Sequence, residues 1–440
     1  MLKAILYVLL SIVGISATFI TPFAGVISCI EAYLMNPSAL AMPDGGYRYQ
    51  LFASLALLAS LLMHWQPPVA EVGREKWLLR MLWTFIAVAA SSALWAEVNP
   101  SMAIESVYEL FKTVLLVAVM VRLIRTERQM AAVVTAMIIG AWHAGFMHVL
   151  GIRLGWVPTS LAKDIGVLSD PQTGVMILFV PLVILMAIFG TKLQRILSWL
   201  AIPFVLDSIV GTYERTGVVA IAFECALILL YLPRRIVFRL LPALAVAGGL
   251  FFFRFTPADY WEKMATVLNP HEEASANSRF VINRASVQMF MDHPLGVGYR
   301  NYMYVSPRYL GNELLTDVGG ERLRSPHNSY FEILCDTGIE GFVVWIAVFI
   351  GAVLVLRSVR RRENSGNITP LQAYAIAFEI GLFGWAIGGW TQDYQEVDPA
   401  YWFVGFAVVL IRLRRQAAAS ADLSEEAVDD NAVAVSVAAK

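Results

Sequence analysis

Residues 338–356 read GIEGFVVWIAVFIGAVLVL and are followed by Arg357, Arg360, Arg361 and Arg362. As a helix rising about 1.5 Å per residue, the run is about 28 Å long, close to the ~30 Å hydrocarbon core of a bilayer. A single carboxylate, Glu340, interrupts it near its start. The basic cluster at its end is the mark of a connection retained on the cytoplasmic side. This stretch decides the fold, because the rest of the chain repeats its composition.

Of 440 residues, 58% are hydrophobic and 15% charged, against about 25% charged in an ordinary soluble domain. The mean hydropathy is +0.63. A water-soluble enzyme is excluded, and a net charge of -1 supplies no global field for nucleic acid or acidic polymers. Further apolar runs lie at 4–35, 50–65, 78–95, 104–121, 130–150, 173–190, 195–211, 216–232, 237–253, 370–390 and 399–413. The expectation is an all-α, polytopic integral membrane protein with about twelve transmembrane helices. Thr21-Pro22 breaks the first run, which is too long for one straight span, so residues 4–35 form a bent or re-entrant helix or two short ones. The domains expected are 1–253 and 337–415 as membrane helices, 254–336 as a periplasmic loop with short helices, and 416–440 as a disordered cytoplasmic tail.

Basic residues set the orientation. One set of connections holds Lys3; Arg74, Lys76 and Arg80; Arg122, Arg125 and Arg128; Lys192 and Arg195; Arg234, Arg235 and Arg239; Arg357 and Arg360 to Arg362; and Arg412, Arg414 and Arg415. The opposite short connections hold Arg48, Arg153, Lys163 and Arg215. Positive residues stay inside, so both termini are expected in the cytoplasm and the 254–336 loop outside. Cys29, Cys225 and Cys335 are widely spaced and odd in number, which fits neither a disulfide framework nor a zinc site. No cofactor or metal is expected.

The outer loop concentrates the polar chemistry. Ser278 to Asp292 reads as a helix capped by Ser278, with Phe280, Ile282, Val287, Met289 and Phe290 facing a core, and it ends at His293-Pro294. Leu295-Gly296-Val297-Gly298 follows as a tight glycine turn without the strand and helix of a nucleotide loop. Tyr260-Trp261 and Asn269-Pro270-His271-Glu272-Glu273 belong to the same loop. Ser325-Pro326-His327-Asn328-Ser329-Tyr330-Phe331-Glu332 then places His327 at the mouth of the bundle, where an imidazole suits proton transfer. On residue chemistry alone His327 equally fits a capping role. Arg215, in the turn Glu214-Arg215-Thr216-Gly217, fits either an anion site or a salt bridge to Glu214 or Asp207.

These motifs together resemble the bacterial O-antigen ligase and O-antigen polymerase superfamily, which includes O-oligosaccharyltransferases. The resemblance runs from the arginine turn at Arg215 past His327. Arg279 opens a helix ending in Asp292-His293-Pro294-Leu295-Gly296-Val297-Gly298, and Pro326-His327-Asn328-Ser329-Tyr330 precedes Gly338-Ile339-Glu340-Gly341. Pro22-Phe23-Ala24-Gly25 and Tyr33-Leu34-Met35-Asn36-Pro37 are similar to the O-glycosylation-ligase branch associated with exosortase systems. Asn283 departs from the tryptophan the family carries four residues after its helix arginine.

The resemblance implies an inverting, metal-independent glycosyltransferase in the bacterial inner membrane with a periplasmic active site. Its donor would be an undecaprenyl-pyrophosphate-linked O-antigen glycan and its acceptor a lipid A core sugar hydroxyl. His327 would be the catalytic base, and Arg215 and Arg279 the pyrophosphate ligands. Arg284, Arg300 and Asn328 are further substrate-binding candidates. On a helix, Arg284 points about 140° away from Arg279, so the two cannot grip one phosphate pair from the same face. A growing glycan or a protein Ser/Thr would make the same chemistry a polymerase or a protein O-oligosaccharyltransferase. A polyprenyl-linked glycan transporter is the rival of another class.

Overall fold

The computed structural model describes residues 2–36, 48–65, 74–150, 170–212, 214–238, 241, 249, 274–318, 320–361 and 368–438. These form an almost wholly helical chain. The helices are α1 (Leu2–Ile20), α2 (Pro22–Met35), α3 (Tyr49–Met63), α4 (Arg74–Ser92), α5 (Pro100–Leu123), α6 (Glu127–His148), α7 (Asp170–Phe189) and α8 (Lys192–Gly211). Then come α9 (Arg215–Tyr231), α10 (Ala274–Asp292), α11 (Ser329–Arg360), α12 (Pro370–Gly388) and α13 (Asp398–Ala438). A small hairpin, β1 (Thr316–Val318) against β2 (Glu321–Leu323), sits between α10 and α11.

Among the described residues, five stretches are long and apolar enough to cross a membrane: Glu75–Trp95, Glu127–His148, Lys192–Gly211, Ser329–Arg360 and Pro370–Gly388. Ile5–Ile20, Pro22–Met35, Tyr49–Met63 and Thr173–Phe189 are apolar but shorter. The chain is thus an all-α membrane protein; five of the expected spans meet both criteria among the described residues, which does not establish the count of twelve. The runs expected at 4–35 and 216–232 are helical here, whereas most of 237–253 lies outside the described residues, as do Tyr260-Trp261 and residues 269–273.

Local sequence explains where helices begin. Thr126, Thr191 and Thr369 each precede a glutamine by three positions, and each pair forms a reciprocal capping box. The threonine oxygen accepts from the third helical N–H while the glutamine satisfies the backbone N–H of the cap. Asn99 and Asn328 cap α5 and α11. Close helix approach uses glycine: a Cβ at Gly381 would meet the Leu178 carbonyl at 2.7 Å, and one at Gly25 would meet Leu57 at 2.8 Å. Small residues let helices meet in lipid, where hydrophobic burial between them gains little.

Contacts between distant parts of the chain mark the two ends of the bundle. At one end Arg412 donates to the carbonyls of Val121 and Ile124, and Arg415 pairs with Glu75. At the other, Trp95 donates to Leu295 O at 3.2 Å and Asn301 to Asn99 O at 3.0 Å. The first run corrects an expectation. Thr21 is extended and Pro22 begins a new helix, so α2 folds back along α1 and the Cβ of a residue at Gly14 would sit 2.8 Å from Ser28 Oγ. Tyr7 consequently reaches His143 Nε2 at 2.6 Å, and Thr18 O accepts from Ser60 toward the Arg415 end. The first residues of α1 and the Arg415 segment lie at opposite ends, not on one side. Beyond Arg415, where composition predicts an unfolded tail, α13 continues to Ala438; Ala417, Ala418 and Ala419 are strong helix formers.

Candidate active site

The site is assembled at the start of α11. Asn328 is extended (φ -159°) and its side-chain oxygen accepts from the backbone N–H of Tyr330 at 3.0 Å and of Phe331 at 3.2 Å. Only 2% of Asn328 is exposed, so its oxygen works as a helix cap. The residue before it, His327, sits at φ +48°. Left-handed backbone is uncommon for a non-glycine residue and persists only where the surroundings enforce it.

Those surroundings come from the connection between α12 and α13. Ser329 N–H donates to Gly389 O at 2.8 Å, its hydroxyl donates to Gln392 O at 2.7 Å, and Tyr394 N–H donates to the same hydroxyl at 2.7 Å. This stitching carries Asp393 to the histidine. One Asp393 oxygen accepts from Asn328 N–H at 3.0 Å, and the other accepts from the Ser325 hydroxyl and lies 3.6 Å from His327 Nδ1. Both side chains are partly open to solvent, 30% for His327 and 19% for Asp393. With Nδ1 turned to a carboxylate, Nε2 is the ring nitrogen left to meet a ligand.

The same connection reaches Arg215. Tyr394 donates its hydroxyl to Glu214 at 3.3 Å, and the hydroxyls of Thr216 and Thr391 meet. Arg215, between those two residues and first in α9, is therefore fixed beside the segment that holds Asp393.

Arg279 lies on α10. Cys335 Sγ donates to Ser286 O at 3.3 Å, Val297 N–H donates to Cys335 O at 2.8 Å, and Ile339 N–H donates to Pro294 O at 3.2 Å. These contacts bring the second half of α10 and the turn after it against the start of α11. Arg279 lies seven residues before Ser286, a rise of about 10.5 Å. Arg279 is half-buried, whereas Arg284 is exposed. The buried face of α10 is Ile282, Ala285, Ser286 and Met289, an i, i+3, i+4, i+7 stripe. Phe280 and Val287, expected on that face, are exposed at 71% and 47%, and the helix begins at Ala274, not at Ser278.

Arg300 is held at φ +64°. Its guanidinium contacts Glu332 at 3.1 Å and Glu396 at 2.7 Å, and its N–H donates to Asp336 at 2.8 Å. Burial alone would lower the Arg300 pKa, but Glu332 and Glu396 outweigh it and hold the charge more firmly than usual. Its donors are engaged in tying α11 to the α12–α13 connection.

The two glycines of the Leu-Gly-Val-Gly turn and Gly338 interlock. Gly296, Gly298 and Gly338 have φ of +89°, +105° and +70°. Gly338 interrupts α11, and a Cβ there would meet Pro294 O at 2.5 Å. The turn thereby packs backbone to backbone into the break, with Gly298 N–H donating to Asp336 O at 3.0 Å.

Residues 200–346 match the family model described as O-antigen ligase. This match supports the O-antigen ligase superfamily. No match was found among curated proteins. The O-antigen ligase segment holds Arg215, Arg279 and His327 and ends before Asp393. Among the described residues no three His, Cys, Asp or Glu side chains gather as a metal-holding group. Sequence reading missed Asp393, Tyr394 and Thr391. The available signal was the pair of acidic residues, Asp393 and Glu396, in the short connection 389–397.

Proposed function

We propose that the chain is an inverting glycosyltransferase that moves an undecaprenyl-pyrophosphate-linked glycan onto a lipid A core sugar hydroxyl at the periplasmic face of the inner membrane. The observation that carries the reading is Asp393 at 3.6 Å from His327 Nδ1, on a segment that also touches both neighbours of Arg215. The O-antigen ligase family supports the chemistry class.

In this mechanism Arg215 and Arg279 grip the pyrophosphate oxygens and offset the charge that grows as the C1–O bond breaks. His327 Nε2 takes the proton from the acceptor hydroxyl as that oxygen forms the new bond to the anomeric carbon from the opposite face. Asp393 orients the ring and stabilises the imidazolium, so the 3.6 Å separation closes to a hydrogen bond when substrate is bound. Displacement from the far side inverts the anomeric centre. The leaving group is undecaprenyl pyrophosphate, and no divalent cation enters the scheme.

The test is purified protein incubated with undecaprenyl-pyrophosphate glycan and, in parallel, rough lipopolysaccharide or an acceptor peptide. Mass gain on the lipopolysaccharide is the result expected. Gain on the peptide alone, or chain growth of the donor alone, would overturn the acceptor assignment.

A further inference from the structure

At the far end of α11 from His327 lies a cavity of about 390 Å³ whose lining includes Arg234, Arg360, Arg361, Gln372, Leu232 and Ile376. Its size falls in the roughly 300–1,000 Å³ range of small-molecule sites. Three arginines line it, and among the described residues no Asp or Glu does. Among the described residues, Glu379 is the acid bonded to this cluster, and both of its oxygens are engaged. One of its oxygens takes Arg357 at 2.8 Å and the Tyr231 hydroxyl at 3.1 Å, and the other takes Arg360 at 2.9 Å. Arg360 is also stacked on the Tyr231 ring at 4.1 Å, which fixes its direction. Arg234 and Arg361 are exposed and have no carboxylate in the lining to answer them. The opening turn of α12, with Ile368 before it and Gln372 in it, adds the positive end of a helix dipole.

The remaining wall is apolar: Leu232 and Ile376 are 5% and 3% exposed, while Leu230 beside them is 77% exposed on the outer surface of α9. Positive charge on one side and an apolar wall continuous with the lipid-facing surface on the other match one ligand chemistry, a phosphodiester carrying acyl chains. A free phosphate would use the arginines and leave the apolar wall idle.

We propose that this cavity binds the phosphate of an anionic phospholipid of the leaflet opposite the His327 site. Basic pockets between membrane helices favour such headgroups through Coulomb attraction supplemented by hydrogen bonds. The bound lipid would brace α9, α11 and α12 at that end.

Native mass spectrometry of the full chain in neutral detergent, titrated with phosphatidylglycerol and separately with phosphatidylcholine, tests the site. Wild type should retain phosphatidylglycerol preferentially. The double variant Arg234→Gln/Arg361→Gln should lose about thirtyfold in phosphatidylglycerol affinity. Arg128→Gln/Lys192→Gln removes two exposed charges elsewhere and should shift affinity less than about threefold. Equal retention by the cavity variant and wild type would overturn the proposal, as would an equal loss in the control pair. Complete displacement of the lipid by millimolar inorganic phosphate would overturn the lipid as its source. If the double variant does not fold, Arg234→Gln and Arg361→Gln singly should each lose about fivefold.

Discussion

Tyr394 donates its hydroxyl to Glu214 across 3.3 Å, joining residues 180 positions apart in the chain. Its backbone N–H is held by Ser329, and the residue before it, Asp393, faces His327. One short connection thus touches the arginine turn, the helix cap and the imidazole.

His327→Ala should lower the transfer rate by about 10²–10⁴-fold while membrane insertion and the melting temperature in detergent stay near wild type. A single-turnover assay with saturating donor measures it, and wild-type turnover would remove His327 from catalysis.

Asp393→Asn keeps the volume but cannot stabilise an imidazolium, so kcat should fall by roughly 10²–10⁴-fold. The double variant with His327→Ala should be no slower than His327→Ala alone, because the carboxylate acts through the ring. Additive losses in that cycle would mean that Asp393 has an independent role.

Arg215→Lys and Arg279→Lys retain charge but lose the bidentate fork. Each should cost about 10–100-fold in kcat/KM, on the order of a charged hydrogen bond, chiefly through a higher KM for the donor. A change confined to the acceptor KM would reassign the residue.

Gly338→Ala forces a Cβ toward Pro294 O at a φ of +70°. A loss of about 2 kcal/mol or more is expected from the backbone conformation and the clash together, read as a lower melting temperature. Gly320→Ala, also at positive φ but with open space around it, should cost less.

EDTA should leave transfer unchanged. Inhibition by chelator that Mg²⁺ or Mn²⁺ restores would reject the cation-independent scheme.

Hydropathy made the helices legible because lipid-facing segments must satisfy their backbone internally and cover themselves with apolar side chains. It could not tell that α1 and α2 form a fold-back pair, since a long apolar run looks the same bent or doubled; Pro22 marked the break but not its angle. His327 and Arg215 stood out as polar residues at the mouths of apolar runs. Asp393 did not, because only the stitching of Ser329 to Gly389 and Gln392 brings its connection over the start of α11. Phe280 and Val287 were assigned to the wrong face because hydrophobicity alone does not say which side of a helix is covered; the small Ala285 and Ser286 fit the closer contact.

The turn at 294–298 is threaded into the break of α11 at Gly338, so the helix bearing Arg279 and the short helix capped by Asn328 cannot tilt separately. A push on either one is passed as a single lever to the backbone beside His327, and the long helix beyond Gly338 serves as its shaft.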